Sequence, residues 1–183
     1  MSKTILYPFR IDQDFRMGYA WSAELARRLK GRLSLFTTVA ETSPQSLEEV
    51  YHALAEAQGF YVKHFQLLQL RLKPVRSERN FLKGELLSTF HDFVHRHTPH
   101  MLVLPSHLFP SEVIKQFINA GQPLAVLPAF IPNPDAPATR KDRSQWFISL
   151  LKDVALYNVP ASFFITISED QGLFNSIAAF FRK

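Results

Sequence analysis

Residues 100–128, HMLVLPSHLFPSEVIKQFINAGQPLAVLP, constrain the fold more than any other stretch of the chain. Met101-Leu102-Val103-Leu104 is a short apolar run stopped by Pro105, the pattern of a strand buried on both faces. Ser111 is placed to cap the helix that follows, and Gly121 and Pro123 close it. Leu124-Ala125-Val126-Leu127 repeats the apolar run, and Pro128 ends it. Two such strands joined by a helix make a βαβ unit, parallel with a right-handed crossover. In such sheets ligands bind beyond the carboxyl ends of the strands. Here that place is the loop Pro105-Ser106-His107-Leu108-Phe109-Pro110, which contains no glycine.

The chain before this unit alternates in the same way. Ile5-Leu6-Tyr7 reads as a strand ended by Pro8. Asp12 or Asp14 can cap the next helix, which carries Met17, Trp21, Leu25 and Leu29 on one stripe and stops at Gly31. Leu33 to Val39 is a second strand. Ser46 and Glu49 form a capping box, and the apolar residues from Leu47 to Leu72 predict a helix of about seven turns. Gly59 inside it marks a close contact or a bend. Residues 74–80 are polar, begin with proline and suit only an edge strand. Gly84 precedes a helix whose inner side carries Leu86, Leu87, Phe90, Phe93, Val94 and His97. The element order is that of an α/β protein with an open parallel sheet and helices on both faces.

After Phe130 the composition changes. Residues 131–137 are proline-rich and form a linker. Trp146, Leu150, Leu151, Val154 and Leu156 suggest a helix, residues 161–168 a strand, and Leu173–Phe181 a short Phe-rich helix. The strand at 161–168 is expected to join a sheet edge, with Phe174, Ile177 and Phe181 covering apolar surface. The organisation is an α/β domain over 1–130, a linker over 131–143 and a helix-strand-helix extension over 144–183.

Composition excludes several functions. With no Cys, the chain has no disulfide, thiol nucleophile or thiolate metal site. No apolar run approaches the ~20 residues of a membrane-spanning helix, and MSKTILYPF lacks a signal peptide's apolar region. A cytoplasmic protein without membrane contact is expected. The +5 formal charge comes from scattered basic residues and pairs such as Arg27-Arg28, so a solvated surface is favoured over a nucleic-acid interface. Seventeen Phe indicate a large buried aromatic area or a sticky surface for a protein partner.

Residues Thr4 to Leu127 together resemble the universal stress protein family. Ile5-Leu6-Tyr7-Pro8 is similar to its opening strand, and Ala20 to Val39 to its first helix and second strand. Gly84-Glu85-Leu86-Leu87, a helix and Met101–Leu104 resemble its glycine-helix-strand segment. Ser111-Glu112-Val113 through Pro123-Leu124-Ala125-Val126 resembles its last helix and strand. The resemblance implies five parallel strands in the order 3-2-1-4-5. Many members of the family bind ATP through a glycine-rich loop, whose glycines let backbone N–H groups wrap phosphates. Here Pro105 stands at the first glycine position, Pro110 at the glycine before Ser111, and Arg10 where an acidic residue is expected. Ser111 and Val39, on the adenine side, keep the family pattern. The candidate nucleotide or anion site is therefore Arg10, Val39, Ser106, His107 and Ser111.

The expected function is a non-catalytic binding or regulatory protein, dimeric, with a degenerate nucleotide loop and no cofactor. The alternative is an ATP- or AMP-binding protein whose rearranged loop holds phosphates with Ser106, Ser111 and a helix N-terminus. A third class, an anion- or metal-dependent enzyme, would use Arg10, His107 and the histidines. Arg10 and His107 would make a basic mouth for a small anion. His91 and His95 have chelating i, i+4 spacing and lie near His97 and His100, but no H-E-x-x-H pattern surrounds them, so surface histidines are favoured. Ser106-His107 lacks a glycine elbow and is not expected to be a nucleophile and base.

Overall fold

A computed structural model describes residues 3–39, 44–63, 77–131 and 140–167. Six strands, β1 (Thr4–Pro8), β2 (Arg32–Val39), β3 (Ser77–Lys83), β4 (Met101–Pro105), β5 (Leu124–Leu127) and β6 (Ala155–Tyr157), form one sheet in the order β3-β2-β1-β4-β5-β6. β1 to β5 are parallel, as the βαβ pattern requires. β6 runs antiparallel to β5, with Ala125 opposite Leu156. The chain passes from β1 to β2 on one side and returns to β4 on the other, so the sheet has its switch point between β1 and β4.

The helices are α1 (Arg16–Arg28), α2 (Pro44–Tyr61), α3 (Leu86–His97), α4 (Ser111–Asn119), α5 (Arg140–Leu151) and α6 (Ala161–Ile167). Successive strand residues point to opposite faces, so the continuous apolar runs feed two cores. Ile5, Tyr7, Met101 and Val103 pack with residues of α1, α2, α5 and α6. Leu6, Leu102, Leu104 and Phe36 pack with residues of α3 and α4. A strand exposed on one face would show alternation instead.

Local signals set the helix ends. At α1 the cap position is Phe15, with no side-chain bond, rather than Asp12 or Asp14; the Asp14 carboxylate accepts the Arg16 N–H at 3.1 Å from one residue further out. Glu85 caps α3 by accepting the Leu87 and Ser88 N–H groups at 3.0 and 2.9 Å. Ser111 does not cap α4: it is the first helical residue, and Pro110 occupies the cap position with an extended backbone and no side-chain bond. The Pro110 carbonyl takes the N–H groups of Val113 and Ile114 instead. The predicted long helix is α2 as far as Tyr61, and its remainder falls outside the described residues. An added Cβ at Gly59 would meet nothing within 4 Å, so no close contact requires that glycine. The edge strand is β3, starting at Ser77 and paired with β2 over its length.

The C-terminal stretch differs from its sequence pattern. α5 ends at Leu151, and Val154 and Leu156 lie beyond it, Leu156 in β6. Residues 161–167 form α6 rather than a strand. Residues 155–157 already occupy the free edge of β5, and Pro160 pre-sets a helical start, its carbonyl accepting the Phe163 N–H at 2.9 Å. Tertiary context here overrides the β-propensity of SFFITI. Asn158, at φ 55, turns the chain, and its amide donates to the Ile118 and Gln122 carbonyls at 2.9 and 3.2 Å. The expected helix at 173–181 lies outside the described residues.

α5 docks on α1 through a buried ionic and aromatic contact. Arg28 donates to Glu24 at 2.9 Å with both side chains buried, and its guanidinium lies 4.5 Å over the Phe147 ring. Trp21 stacks on the same ring at 5.1 Å. Such pairs add to the ~1.5–3 kcal/mol that burying Phe147 contributes. Among the described residues no helix is long and apolar enough to cross a membrane.

Candidate functional site

A cleft of ≈ 180 Å³ opens at the carboxyl ends of β1, β4 and β5, on the switch point. Tyr7, Pro105 and Leu127 line it from the strand ends, and Asp14, Met17 and Gly18 from the start of α1. His107 and residues 128–131 complete the lining, with Phe130 strongly exposed at 79%.

Tyr7 forms the floor. It is buried, and its hydroxyl is 3.4 Å from the Phe15 carbonyl, long for an O–H···O bond. Burial first, then the Asp14 carboxylate, pushes its phenol far above the usual tyrosine value, so it stays neutral. A Cβ at Gly18 would lie 2.2 Å from the Tyr7 hydroxyl oxygen, so Tyr7 fits beneath α1 only because residue 18 has no side chain.

Asp14 carries the one formal negative charge in the lining. Hydrogen bonds from the Arg16 guanidinium, at 2.9 and 2.8 Å, hold its carboxyl below the ordinary value despite partial burial. The pair is neutral overall. Partial burial lowers the His107 imidazole, which favours its uncharged form at neutral pH.

Of the five sequence candidates, His107 lines the cleft. Ser106 lies outside the lining, with its N–H donated to the Leu127 carbonyl at 3.0 Å. Arg10 is exposed and bonded to Asp12, its Nε at 2.9 Å from Oδ1, so its guanidinium is shared with an acid outside the lining. Val39 ends β2 and packs against the α1/α2 core. Ser111 is exposed on the first turn of α4. The structure thus places one of the five, His107, in the cleft lining and leaves Ser106, Arg10, Val39 and Ser111 outside it.

The loop between β4 and α4 is held closed. Leu108 N–H bonds the Pro105 carbonyl at 3.0 Å. Phe109 is 2% exposed and meets the Phe90 ring at 5.1 Å. Pro105 and Pro110 have no N–H to offer. Sequence reasoning missed Tyr7, Asp14 and Gly18; the signal was present in Gly18, four residues after Asp14 in a helix pattern that has no need of glycine. Among the described residues no group of three or more His, Asp or Glu could hold a metal.

No family model matches the chain, and no curated protein does. Solved structures do. A universal stress protein in complex with cAMP is 10% identical, covering 70% of this chain and 98% of its own, with a TM-score of 0.49. The universal stress protein from Archaeoglobus fulgidus in complex with dAMP is 15% identical, with coverages of 68% and 96% and a TM-score of 0.48. A protein of the same family from Burkholderia pseudomallei is 16% identical, with coverages of 69% and 96% and a TM-score of 0.45.

Proposed function

We propose that this chain is a divergent universal stress-type protein with a binding or regulatory role in the cytoplasm, without catalysis, whose nucleotide loop is degenerate. The observation that carries this reading is the closed loop at 105–110. A phosphate cradle needs several free N–H groups converging on one point. Here two prolines remove donors, Ser106 and Leu108 spend theirs on carbonyls, and buried Phe109 pins the loop. The charges nearby are consumed in Arg10–Asp12 and Arg16–Asp14 pairs. The cleft of ≈ 180 Å³ is also smaller than the ~300–1,000 Å³ usual for ligand sites.

A second reading rests on the position of the cleft at the switch point, where α/β sheets bind ligands. Two proteins of similar fold are complexes with cAMP and dAMP. In this reading the loop rearranges and an AMP-class nucleotide binds. Calorimetry with ATP, AMP and inorganic phosphate separates the two. No saturable heat is the expected result, and micromolar affinity for any of them overturns the degenerate-loop reading.

The role is taken to be performed by a homodimer. The short β6 leaves Tyr157 38% exposed at an open sheet edge, the kind of edge that pairs with a second chain. Light scattering of the full chain tests this: a monomer at high micromolar concentration removes the dimer from the reading.

A further inference from the structure

We propose that His91 and His95 form a two-point chelate for a late first-row divalent cation on the outer side of α3. Their Nε2 atoms lie 3.3 Å apart. Two Zn–N bonds of about 2.0–2.1 Å meeting at a tetrahedral angle place the donor nitrogens about 3.3–3.4 Å from each other. The separation in the protein is therefore already that of two ligands on one ion. Helical geometry supplies it, because residues four apart stand one above the other.

The pair is also partly preorganised. The His91 ring is half-buried and packs 5.8 Å from Phe117 of α4, which limits its rotamers before any ion arrives. His95 is exposed, and the two rings meet edge to face at 68° rather than lying flat on one another. A direct Nε2–H···Nε2 bond between such rings competes with water and gains little. A cation engages a lone pair from each ring at once. Among the described residues no third His, Asp or Glu completes the set, so the ion keeps positions for water or for a donor from a second copy. Two neutral imidazoles select Cu²⁺, Ni²⁺ or Zn²⁺ and leave the hard cations Mg²⁺ and Ca²⁺ unbound. The site lies apart from the cleft and does not depend on its reading.

The neighbouring histidines provide a control. His97 lies flat on Phe93 at 3.9 Å and its Nδ1 is 3.0 Å from the Phe93 carbonyl, so it is turned to its own helix. The test is calorimetric titration of the full chain with Cu²⁺, Ni²⁺ and Zn²⁺, alongside electron paramagnetic resonance of the Cu²⁺ form. One saturable ion per chain is expected, with Cu²⁺ tightest and a signal from two nitrogen ligands. His91→Ala and His95→Ala each weaken it on the order of a hundredfold, since a chelate becomes a single ligand. His97→Ala leaves it unchanged. Circular dichroism confirms that each variant is folded, as expected for residues on an outer helix face. Equal binding by the wild type and a His91→Ala/His95→Ala double variant overturns the proposal, as does a wild type without saturable binding.

Discussion

Two loops meet at the switch point, and their likeness and difference explain the cleft between them. Residues 9–15 follow β1, and residues 106–110 follow β4. Each strand ends in a proline, Pro8 or Pro105, and each loop is anchored by buried phenylalanine, Phe9 and Phe15 in the first and Phe109 in the second. Phe9 is 0% exposed and packs 4.5 Å from Phe15 in the core of α1 and α2. Phe109 is 2% exposed and packs against Phe90 in the core of α3 and α4. The two loops are thus nailed to opposite faces of the sheet. They differ in charge. The first carries Arg10–Asp12 and the Asp14–Arg16 pair, whereas the second has no Asp, Glu, Lys or Arg. The lesson is that aromatic anchoring, shared by both, fixes the shape of the cleft, while the charges of one loop neutralise each other beside it.

The largest expected effect tests the anchors. Phe9→Ala and Phe109→Ala should each lower stability by about 3–5 kcal/mol, read from chemical denaturation. Similar losses mean the loops are anchored equivalently. A cost below about 1 kcal/mol for Phe109→Ala would show the second loop to be a surface feature and break the comparison.

A smaller effect is expected where α1 crosses Tyr7. Gly18→Ala places a methyl group against the phenol and should cost about 1–3 kcal/mol as overpacking. In a Tyr7→Phe background the nearest atom, the hydroxyl oxygen, is gone and the cost should shrink. An unchanged cost there would mean that backbone, not Tyr7, limits residue 18.

Asp14→Asn sharpens the charge difference. An amide there still accepts the Arg16 N–H, and the lost ion pair is exposed, so the change should cost at most about 1 kcal/mol near neutral pH. Because the folded carboxyl is depressed below its ordinary 3.8, its contribution is complete above that value and fades as pH falls through the depressed one. The variant should therefore show a flatter acid limb in thermal melts as the pH falls below that ordinary value. A parallel acid limb would dismiss the Asp14–Arg16 pair as a stabilising element. Arg10→Ala should have the smallest effect, about 0–1 kcal/mol, because an exposed pair is worth little. A larger loss would show that Arg10 acts beyond its bond to Asp12.

Much of the fold was legible because it rests on local signals. The apolar runs at 5–7, 33–39, 101–104 and 124–127 became β1, β2, β4 and β5, and the stripe from Met17 to Leu29 became the inner side of α1. The site was less legible. Val39 and Arg10 stand near strand ends, as their spacing requires, yet neither lines the cleft, since one packs into the core and the other pairs with Asp12. Tyr7 and Asp14 gave no motif, because their roles come from packing beneath Gly18 and from a neighbour two residues away.

The sequence by itself determined the parallel α/β core: strands buried on both faces must be continuously apolar, and their helices must cross over between them. It also determined that two positions of the loop after β4 offer no backbone donor, because Pro105 and Pro110 lack an N–H in any conformation. Only the tertiary structure decided the fate of residues 144–167. Whether Leu156 belonged to a helix and SFFITI to a strand depended on which segment reached the edge of β5 first along the chain, and on Phe147 finding Trp21 and Arg28 on α1. Apart from the local start at Pro160, those choices are made by partners distant in sequence, on β5 and on α1, which local propensity does not encode.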